Sequence, residues 1–568
     1  MSATFQRRII GLMYLFLAIA GFFTLRLGWL QLVQGRELAI LATAYHTRAV
    51  YYRFGHGSEG RGTIFDRRLR PLTEGNLQPG LAVFATVGSN EEEYGRWLEI
   101  LSNHTGLTPE EMVQRSRLRR PVPLKTPLPA GLELPHWIVP VEGDWDADGA
   151  FRRYTYGRNF ACHVLGFVKT HSRAEGAEGL VVGQMGIEKA FDSHLRCQRP
   201  GVAAMVDAGD RLIGGLGYRH TFPVDRMPYV VLSLDAEIQG IVEETLDDYI
   251  QRGLVPPCGA VVVMDPHTGD ILAMASRPVI SGEKNHYNRA TRKSDKVAML
   301  PLASVAKLIT AAAALEKDPA LYHQWHDCPG SGEFNCVFGP HGQQDMARAL
   351  ANSCNTYFAE LAAQVGAREL LAMAKALGLG QKKDIGLPGW EVGAGSLPEL
   401  PDLATRAGLA NHFAMGGNKL EATPLQVAAM LSAIANGGWY VEPRLVLATG
   451  RGEIAEVTAP PPKRERVMSP TTAQLLARMM HLSVREGSAG HFDHAAYPYA
   501  AAQLAAKTGT SDAGLPPYGY QVRWNAGFFP WRNPRYVVVY MAEVPPGFSG
   551  VRREQIVAEL VCKLAARD

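Results

Sequence analysis

The sequence has few cysteines, and their spacing is not typical of a metal site. Seven cysteines occur among 568 residues, with no CxxC pair and no compact Cys/His cluster along the chain. We therefore expect neither a metal ion nor another cofactor. Only Cys328 and Cys336, in DCPGSGEFNC, lie close together with turn residues between them. A disulfide there is compatible with a domain outside the cytoplasm, but the sequence does not decide it.

The chain also lacks a large excess of charge of either sign. Its formal net charge is +3, and 20% of its residues are charged. This balance excludes nucleic acid as an expected partner, because such proteins carry strongly basic surfaces. The local basic run at Arg115, Arg117, Arg119 and Arg120 is interpreted as a solvated face. A hydrophobic content of 46% argues against wholesale disorder.

Long apolar runs are lacking everywhere except near the N-terminus. Residues 9–25 are apolar and uncharged, and the apolar character continues beyond Arg26 to Leu32. This length approaches the about 20 residues that span a bilayer. We predict one transmembrane anchor over residues 9–33.

Charge near this anchor indicates its orientation. Arg7 and Arg8 lie on its short side, which predicts that residues 1–8 are cytoplasmic and that the bulk of the chain is exported. The alternative is a cleaved signal peptide, because AIA at residues 18–20 resembles a cleavage site. The apolar run continues past that point, which favours an uncleaved anchor.

The middle of the chain lacks internal repeats and the pattern of one compact core. Residues 36–225 mix short apolar runs with many turn signals and include RRPVPLKTPLPAGLELP. This is typical of an irregular, mostly β domain. The prolines and charges of FPVDRMP, at residues 222–228, indicate a linker. We predict an N-terminal domain over 36–225 and a second domain over 226–568.

The second domain combines strand and helix patterns. YVVLSLDAEIQGIVEETLDDYIQRG predicts a strand and then a helix capped near Asp235, and GAVVVMDPHTGDILAMASRP predicts two strands around a turn. A mostly helical region follows to about residue 440. RWNAGFFP and RYVVVYMAEVP then predict strands, and REQIVAELVCKLAA predicts a final helix. Strands that flank a helical block predict a two-layer α/β arrangement.

The stretch PLASVAKLITAAAALE predicts a buried helix with two polar residues near its start. Ser304 and Lys307 lie one turn apart on the same face. A nucleophilic serine beside a neutral lysine fits this pattern if burial and a second cation lower the lysine pKa. A capping serine and a lysine that reaches the surface are the alternative. Ser281 and Lys284 form a second SxxK, but no helical pattern follows them.

Two further short motifs carry polar side chains. SCN contains Ser353 and Asn355 inside a helical pattern, where they can converge only in a loop or turn. Taken alone, this motif is typical of a helix N-cap.

The second of these motifs, AAKTGTSD, contains the following residues: Lys507, Thr508, Gly509 and Thr510. On a strand edge it would present a cation and hydroxyls to an extended substrate, with a glycine that lets another backbone approach closely.

The ordered trio SxxK, SxN and KTG resembles the set found in penicillin-binding proteins and class A β-lactamases. Within that superfamily the chain resembles the class B (monofunctional transpeptidase) penicillin-binding proteins over nearly its whole length. GRGTIFDRRLRPL is similar to their RGxIxDRxGxxLA signature, with Arg70-Pro71 at the usual glycine turn. RRYTYGRNFACHVLGFV and GQMGIEKAFDSHL resemble motifs of their N-terminal pedestal. LSLDAEIQ, AVVVMDPHTGDILAMAS and ATPLQVAAMLSAIANGG resemble their transpeptidase domain.

The resemblance implies an α/β (α+β) serine transpeptidase or β-lactamase-like domain with an antiparallel sheet and a helical block. A mostly β pedestal and one N-terminal transmembrane helix would precede it. It implies a peptidoglycan D,D-transpeptidase that acts outside the membrane on stem peptides ending in D-Ala-D-Ala, is acylated by β-lactams and pairs with a membrane glycosyltransferase. The chain shows no segment for a glycosyltransferase domain of its own.

The resemblance also implies roles for the polar residues in the reaction. Ser304 would attack the penultimate D-alanyl carbonyl and Lys307 would take its proton. Ser353 and Asn355 would relay a proton to the leaving D-alanine and hold the substrate amide. Cys354, between them, is expected to be a small core residue.

The KTG motif is implied to bind the substrate. Lys507 would supply positive charge, Gly509 would allow close approach, and Thr508 and Thr510 would bind the terminal carboxylate. The backbone N–H groups of Ser304 and Thr510 would hold the oxyanion.

The chain departs from the family pattern beside the nucleophile. Leu302-Ala303 replaces Pro-Gly, Ala306 replaces phenylalanine, and residues 415–417, MGG, replace Gly-Gln-Gly. These differences bear on the shape of the pocket and on its β-lactam affinity. A β-lactamase or β-lactam sensor is one alternative function, although no base for a deacylating water is identified. A membrane-anchored scaffold that regulates a polymerase is another.

Overall fold

The computed structural model divides into two compact units. The described residues are 3–34, 48–53, 60–73, 78–86, 91–117, 122–129, 131–135, 137–143, 154–170, 181–197, 201–206, 211–212, 218–220, 227–280, 300–331, 333–336, 339–388, 391–417, 419–452, 454, 457, 459–513 and 519–567. Unit 1 comprises Met1–Gly55, Asn76–Arg152 and Gln198–Val224, and unit 2 comprises His56–Gly75, Arg153–Cys197 and Asp225–Asp568.

These units differ in detail from the predicted division. Two segments, 56–75 and 153–197, were assigned to the N-terminal domain over 36–225, but they cluster with unit 2. The division at 225–226 stays a prediction for the rest of the chain. Residues 222–226 of the predicted linker lie outside the described residues, as do Arg119, Arg120 and the second SxxK at 281–284.

Unit 1 begins with a long apolar helix, Ala3–Gly28, which continues as a short π-helical segment, Trp29–Val33. Within the described part of the chain, Arg7–Val33 is the one helix long and apolar enough to cross a membrane. Its 27 residues extend about 40 Å at 1.5 Å per residue, more than a hydrocarbon core of about 30 Å. The predicted anchor at 9–33 lies inside this helix.

Among its described residues, the remainder of unit 1 contains two sheets and two helices. One sheet consists of Arg48–Arg53, Gly201–Val206, Arg211–Leu212, Ala85–Thr86 and Tyr218–His220. The other consists of Gln78–Val83, Val122–Pro123 and Ile138–Gly143. The helices are Glu91–Thr105 and Pro109–Arg117, and their apolar side chains share a buried core with the second sheet. Unit 1 thus mixes helix with sheet, where the sequence predicts a mostly β domain.

Unit 2 is built around a five-stranded antiparallel sheet. Its order is Ile271–Arg277, Gly259–Met264, Tyr536–Val544, Tyr520–Phe529 and Ala505–Ala513. The capped helix Ala236–Gln251 follows the strand Pro228–Leu232, as predicted, and Asp235 accepts hydrogen bonds from two backbone N–H groups. The final strands and the terminal helix Arg553–Arg567 are also confirmed.

The sheet is covered on both faces, so unit 2 has three layers and the two-layer prediction is wrong. Alternate side chains of Gly259–Met264 show the reason: Val261 and Val263 pack with the helices Ala236–Gln251 and Arg553–Arg567, whereas Val262 packs with the helical block. A strand buried on both faces reads as an unbroken apolar run, and its sequence therefore does not reveal the second helical layer.

The other elements of unit 2 surround this sheet. Its further helices are Cys162–Leu165, Gly186–Ala190, Asp192–Leu195, Lys307–Lys317, Met346–Ala351, Asn355–Val365, Ala367–Ala376, Arg406–Leu409, Pro424–Ala435, Pro470–Glu486 and Pro498–Gln503. Short 3₁₀ segments are Ala303–Ala306, Pro319–His323 and Leu400–Leu403, and a π-helical segment is Ala410–Ala414. Its further strands are Gly60–Arg61, Thr63–Phe65, Val168–Thr170, Val181–Gly183, Arg196–Cys197, Leu300–Pro301, His326–Cys328, Gly342–Gln344, Lys383–Asp384, Glu391–Val392, Glu421–Ala422, Trp439–Val441, Val446–Arg451 and Arg464–Arg466.

Two of the quoted sequence motifs meet through one buried arginine. Arg61, from GRGTIFD, places Nε 2.5 Å from Glu188 Oε2 and Nη1 2.9 Å from Asp192 Oδ1, and both acids come from GQMGIEKAFD. The strand Thr63–Phe65 then pairs in parallel with Pro228–Leu232. These contacts attach both motifs to unit 2.

Candidate active site

Ser304 lies on a strained turn at the start of a buried helix. The 3₁₀ segment Ala303–Ala306 carries the serine, and Lys307–Lys317 follows as an α-helix that is almost entirely buried. Ala303 has φ 51°, in the left-handed region that favours glycine. The resembled family has glycine at this position. In this chain an alanine adopts the backbone conformation that favours glycine.

Lys307 is aimed at the serine from inside the protein. Its Nζ lies 2.7 Å from Ser304 Oγ and 2.9 Å from Asn355 Oδ1, and its side chain is fully buried. Burial disfavours the charged ammonium and lowers the pKa of Lys307 to about 7. A large fraction of the amine is therefore neutral at physiological pH and able to accept the serine proton.

Ser353 and Asn355 converge through a turn, as the sequence predicts. Ser353 has φ 56° and lies between the helices Met346–Ala351 and Asn355–Val365. Asn355 begins the second helix, and its Nδ2 donates to Asn335 O at 2.8 Å while its Oδ1 faces the lysine amine. The carboxamide is thus held in one orientation.

The KTG motif lies on an edge strand, Ala505–Ala513, of the central sheet. Lys507 is fully buried, and its Nζ lies 3.0 Å from Ser353 Oγ. Burial, followed by the positive charges of Lys307 and Arg553, holds the pKa of Lys507 well below its ordinary value. Burial lowers the pKa of Lys307, as expected. The expected contribution of a second cation is found at Lys507 instead.

The glycine of this motif permits close packing against the turn that carries Ser304. A Cβ on Gly509 would lie 3.0 Å from Leu302 O and 3.1 Å from Ala303 Cβ. The close backbone approach expected at Gly509 therefore includes the turn that carries Ser304. Thr508 Oγ1 donates to Ser488 Oγ at 3.1 Å.

Sequence reasoning missed Arg553, which lies at the first turn of the final helix. Its Nη1 donates to Gly509 O and to Thr510 Oγ1, each at 2.7 Å. It belongs to RREQ, a stretch in which nothing distinguishes this residue from an ordinary surface arginine. The guanidinium places a fixed positive charge beside the hydroxyl that the resemblance assigns to carboxylate binding.

These groups line one open cavity of about 870 Å³. Its lining includes Ser304, Ser353, Asn355, Thr508, Thr510 and Arg553. The two lysines lie behind it, each within hydrogen-bond distance of a lining serine. Serine hydroxyls, buried amines, threonine hydroxyls and a guanidinium therefore lie in or directly behind one cavity, an arrangement that suits acyl transfer to and from a serine.

One group of side chains beside the cavity could hold a metal ion. Among the described residues, the structure brings together Cys328, Cys336, His341 and Cys354. The sequence spacing gave no indication of this cluster. Cys328 and Cys336 are free thiols whose sulfurs lie 3.5 Å apart, so the disulfide left open by the sequence is not formed here. A hydrogen bond from Cys354 lowers the pKa of Cys336.

Comparison with known proteins places the C-terminal half in a characterised family. A family model described as penicillin binding protein transpeptidase domain matches residues 259–561, more than half of the chain. Stage V sporulation protein D of Bacillus subtilis is 26% identical over 575 residues, which cover 94% of this chain and 82% of that protein. Penicillin-binding protein PbpB of Mycolicibacterium smegmatis is 28% identical over 380 residues, covering 64% of this chain and 57% of that protein.

Solved structures show the same fold. The crystal structure of Penicillin binding protein 3 from Mycobacterium tuberculosis complexed with ampicillin has a TM-score of 0.59 at 23% identity. It covers 90% of this chain and 96% of that chain. The D,D-transpeptidase domain of a peptidoglycan glycosyltransferase from Eggerthella lenta has a TM-score of 0.53 at 26% identity, and covers 74% and 94%. The predicted serine transpeptidase fold is confirmed.

Proposed function

Because this chain belongs to the penicillin binding protein transpeptidase family, we propose that it is a peptidoglycan D,D-transpeptidase that works through an acyl-enzyme on Ser304. The observation that carries this proposal is the 2.7 Å separation between Ser304 Oγ and the buried Lys307 Nζ. A serine hydroxyl needs an adjacent base to become a nucleophile at neutral pH, and a buried amine with a pKa of about 7 supplies one.

Acylation begins when neutral Lys307 accepts the proton of Ser304. The serine oxygen then bonds to the carbonyl carbon of the penultimate D-alanine, and the carbonyl electrons move onto oxygen. Backbone N–H groups of Ser304 and Thr510 hold this oxyanion, since fixed donors stabilise developing charge without reorganisation. Asn355 holds the Lys307 amine through Oδ1 and is within reach of the substrate amide.

Collapse of the intermediate breaks the bond to the leaving D-alanine. Its nitrogen needs a proton, and Ser353 is the hydroxyl that can supply it from the cavity side. Lys507 lies 3.0 Å behind that hydroxyl and orients it. The proton that Lys307 took from Ser304 replaces the one that Ser353 gives to the leaving amine, so Lys307 is neutral again before the second amine arrives. The amine of a second stem peptide then attacks the ester, with Lys307 taking the amine proton before Ser304 recovers its own.

The substrate carboxylate binds next to the KTG strand. The hydroxyl of Thr510 donates to it, as does that of Thr508 once it turns from Ser488 Oγ. Arg553 contributes a fixed positive charge through its 2.7 Å contact with Thr510 Oγ1. The free edge of the strand Ala505–Ala513 lets the stem peptide add as an extended strand. β-Lactams acylate the same serine because their strained amide mimics the D-Ala-D-Ala end.

The apolar helix Arg7–Val33 supports attachment to a membrane by a single pass. Arg7 and Arg8 favour a cytoplasmic N-terminus with the catalytic unit on the outer side, where stem peptides occur. Cross-linking acts on polymerised glycan, so a membrane glycosyltransferase is the partner class that this activity requires.

Labelling with a fluorescent penicillin tests the proposal on the full-length protein in detergent. Wild type should form a covalent adduct that peptide mass mapping places on Ser304, and Ser304→Ala should form none. Ser281→Ala is the matched control, because it removes the serine of the second SxxK and should label like wild type. An adduct that hydrolyses within seconds would indicate a β-lactamase. No adduct at any concentration would favour the scaffold.

A further inference from the structure

Three thiols and one imidazole converge behind the turn that carries Ser353. They come from separate elements: Cys328 ends a strand, Cys336 and His341 lie in the following loop, and Cys354 caps the helix Asn355–Val365. Their ligand atoms all lie within 4.8 Å of one another. The three cysteines are buried and His341 is half-buried.

Three of the six separations between the ligand atoms are close to those of a tetrahedral zinc site. With zinc at about 2.3 Å from sulfur and about 2.0 Å from nitrogen, tetrahedral angles place two sulfurs about 3.8 Å apart and sulfur and nitrogen about 3.5 Å apart. The Cys328–Cys336 sulfurs are 3.5 Å apart and the Cys336–Cys354 sulfurs 3.8 Å apart. Cys328 Sγ lies 3.4 Å from His341 Nδ1.

We propose that Cys328, Cys336, His341 and Cys354 bind one structural zinc ion next to the catalytic cavity. Soft thiolate and imidazole ligands in a tetrahedral arrangement select zinc over magnesium or calcium, which prefer oxygen ligands. Four protein ligands leave no open coordination position, so the ion stabilises structure and does not act on substrate.

Hydrogen bonds to the sulfurs suit metal-bound thiolates. The backbone N–H of Asn355 donates to Cys336 Sγ at 3.3 Å, and that of Tyr357 donates to Cys354 Sγ at 3.4 Å. Both donors belong to the first turn of an 11-residue helix, whose N-terminus favours negative charge. Such outer hydrogen bonds orient the ligands of protein metal sites.

The position of the cluster indicates which part of the structure the ion would stabilise. Cys354 lies between Ser353 and Asn355, and Cys336 follows Asn335, whose carbonyl accepts from Asn355 Nδ2. A zinc ion that joins Cys336 to Cys354 would therefore fix the loop and the turn that together orient the Asn355 carboxamide. The ion acts as a positioning element for the transpeptidase residues.

The first test is the metal content of the full-length protein, purified under reducing conditions and without chelator. We expect about one zinc per chain by elemental mass spectrometry, retained after dialysis. Replacement by Co²⁺ should give thiolate-to-cobalt charge-transfer absorption and the visible bands of a tetrahedral site. Protein that holds no zinc with these thiols reduced, or a cobalt spectrum without thiolate bands, would overturn the proposal.

Variants identify the ligands. Removing an outer hydrogen bond lowers metal affinity about 10- to 100-fold. Cys328→Ser removes a ligand itself and should lower zinc affinity by more than that. His341→Cys keeps four ligands and should keep zinc. Cys258→Ser removes a thiol outside the cluster and should leave the content unchanged. Zinc retained at wild-type affinity in Cys328→Ser would contradict the assignment.

A second readout separates positioning from mere folding. Zinc-depleted wild type should acylate more slowly with penicillin and recover when Zn²⁺ is restored, whereas Mg²⁺ should not restore it. Metal content is measured independently of labelling, so failure of the proposed transpeptidase activity would leave the zinc result intact. Full acylation rates in zinc-free protein would contradict the positioning role.

Discussion

Lys507 Nζ lies 3.0 Å from Ser353 Oγ, although 154 residues separate the two in the chain. This contact joins the edge of the central sheet to the turn between two helices of the helical block. The amine of the KTG motif thereby reaches the hydroxyl of the SxN motif. The turn that carries Ser304 packs beside the KTG strand.

The acylation rate should rise with pH through about 7. Lys307 must be neutral to accept the serine proton, and its pKa is lowered to about 7 by burial. Below that pH the ammonium form dominates, so the second-order rate with a fluorescent penicillin should fall up to about tenfold per pH unit. Above it the rate should reach a plateau.

Charged neighbours modify a midpoint that burial mainly sets. Cys354 and Cys336 raise the pKa of Lys307 when they carry negative charge, whereas Lys307 in turn lowers the pKa of Lys507. A rate that is constant from pH 6 to 9 would contradict the assignment of Lys307 as the base.

Replacing Arg553 by alanine should weaken reaction with carboxylate-bearing substrates. The change removes two 2.7 Å hydrogen bonds, to Gly509 O and Thr510 Oγ1, and the positive charge beside them. A hydrogen bond to a charged group contributes about 1.5–3 kcal/mol, so acylation efficiency should fall about 10- to 100-fold. Arg552→Ala is the matched control, because Arg552 is the exposed neighbour. Equal effects of both variants on penicillin acylation would exclude a specific role.

Gly416→Ala should displace the nucleophile turn. A Cβ at Gly416 would lie 2.0 Å from Ala303 O, and its φ of +68° adds strain for alanine. Gly437→Ala carries similar strain, with φ +81°, but its Cβ would meet no atom within 4 Å. We therefore expect a large loss of acylation in Gly416→Ala and near-normal acylation in Gly437→Ala, with both folded by circular dichroism. Normal acylation in Gly416→Ala would show that the turn tolerates displacement.

Arg61→Met should destabilise unit 2. It removes the Arg61 side of the buried 2.5 Å ion pair with Glu188, and breaking one side of a buried ion pair costs about 3–5 kcal/mol. Arg252→Met breaks an exposed pair with Asp248, and solvent screening should leave the stability nearly unchanged. The thermal unfolding midpoint of each full-length variant, compared with wild type, measures the difference. Similar midpoints for the two variants would show that the buried pair adds no net stability.

Much of the fold followed from local patterns. The helix capped by Asp235, the paired strands Gly259–Met264 and Ile271–Arg277, and the terminal helix were all predicted at nearly their observed bounds. These elements depend on propensity, capping and turn residues that lie next to each other in the chain. The third layer of unit 2 was not predicted, because a strand buried on both faces carries no alternation to reveal it.

The residues of the candidate site were likewise predicted only in part from the sequence. The sequence predicted Ser304, Lys307, Ser353, Asn355 and Lys507 because SxxK, SxN and KTG occur in the order found in the resembled family. It missed Arg553, since nothing near RREQ indicates that its guanidinium reaches the KTG strand.

By itself, the sequence determined which chemical groups are present, their order along the chain and an apolar anchor near its start. The tertiary structure alone decided that the Lys307 amine lies 2.7 Å from Ser304 Oγ, that Lys507 reaches Ser353, and that three thiols meet one imidazole. The physical reason is that burial and convergence depend on how distant segments pack. A metal-like cluster from Cys328 to Cys354 has no regular spacing to detect, whereas a helix with a capped start is specified by its own residues.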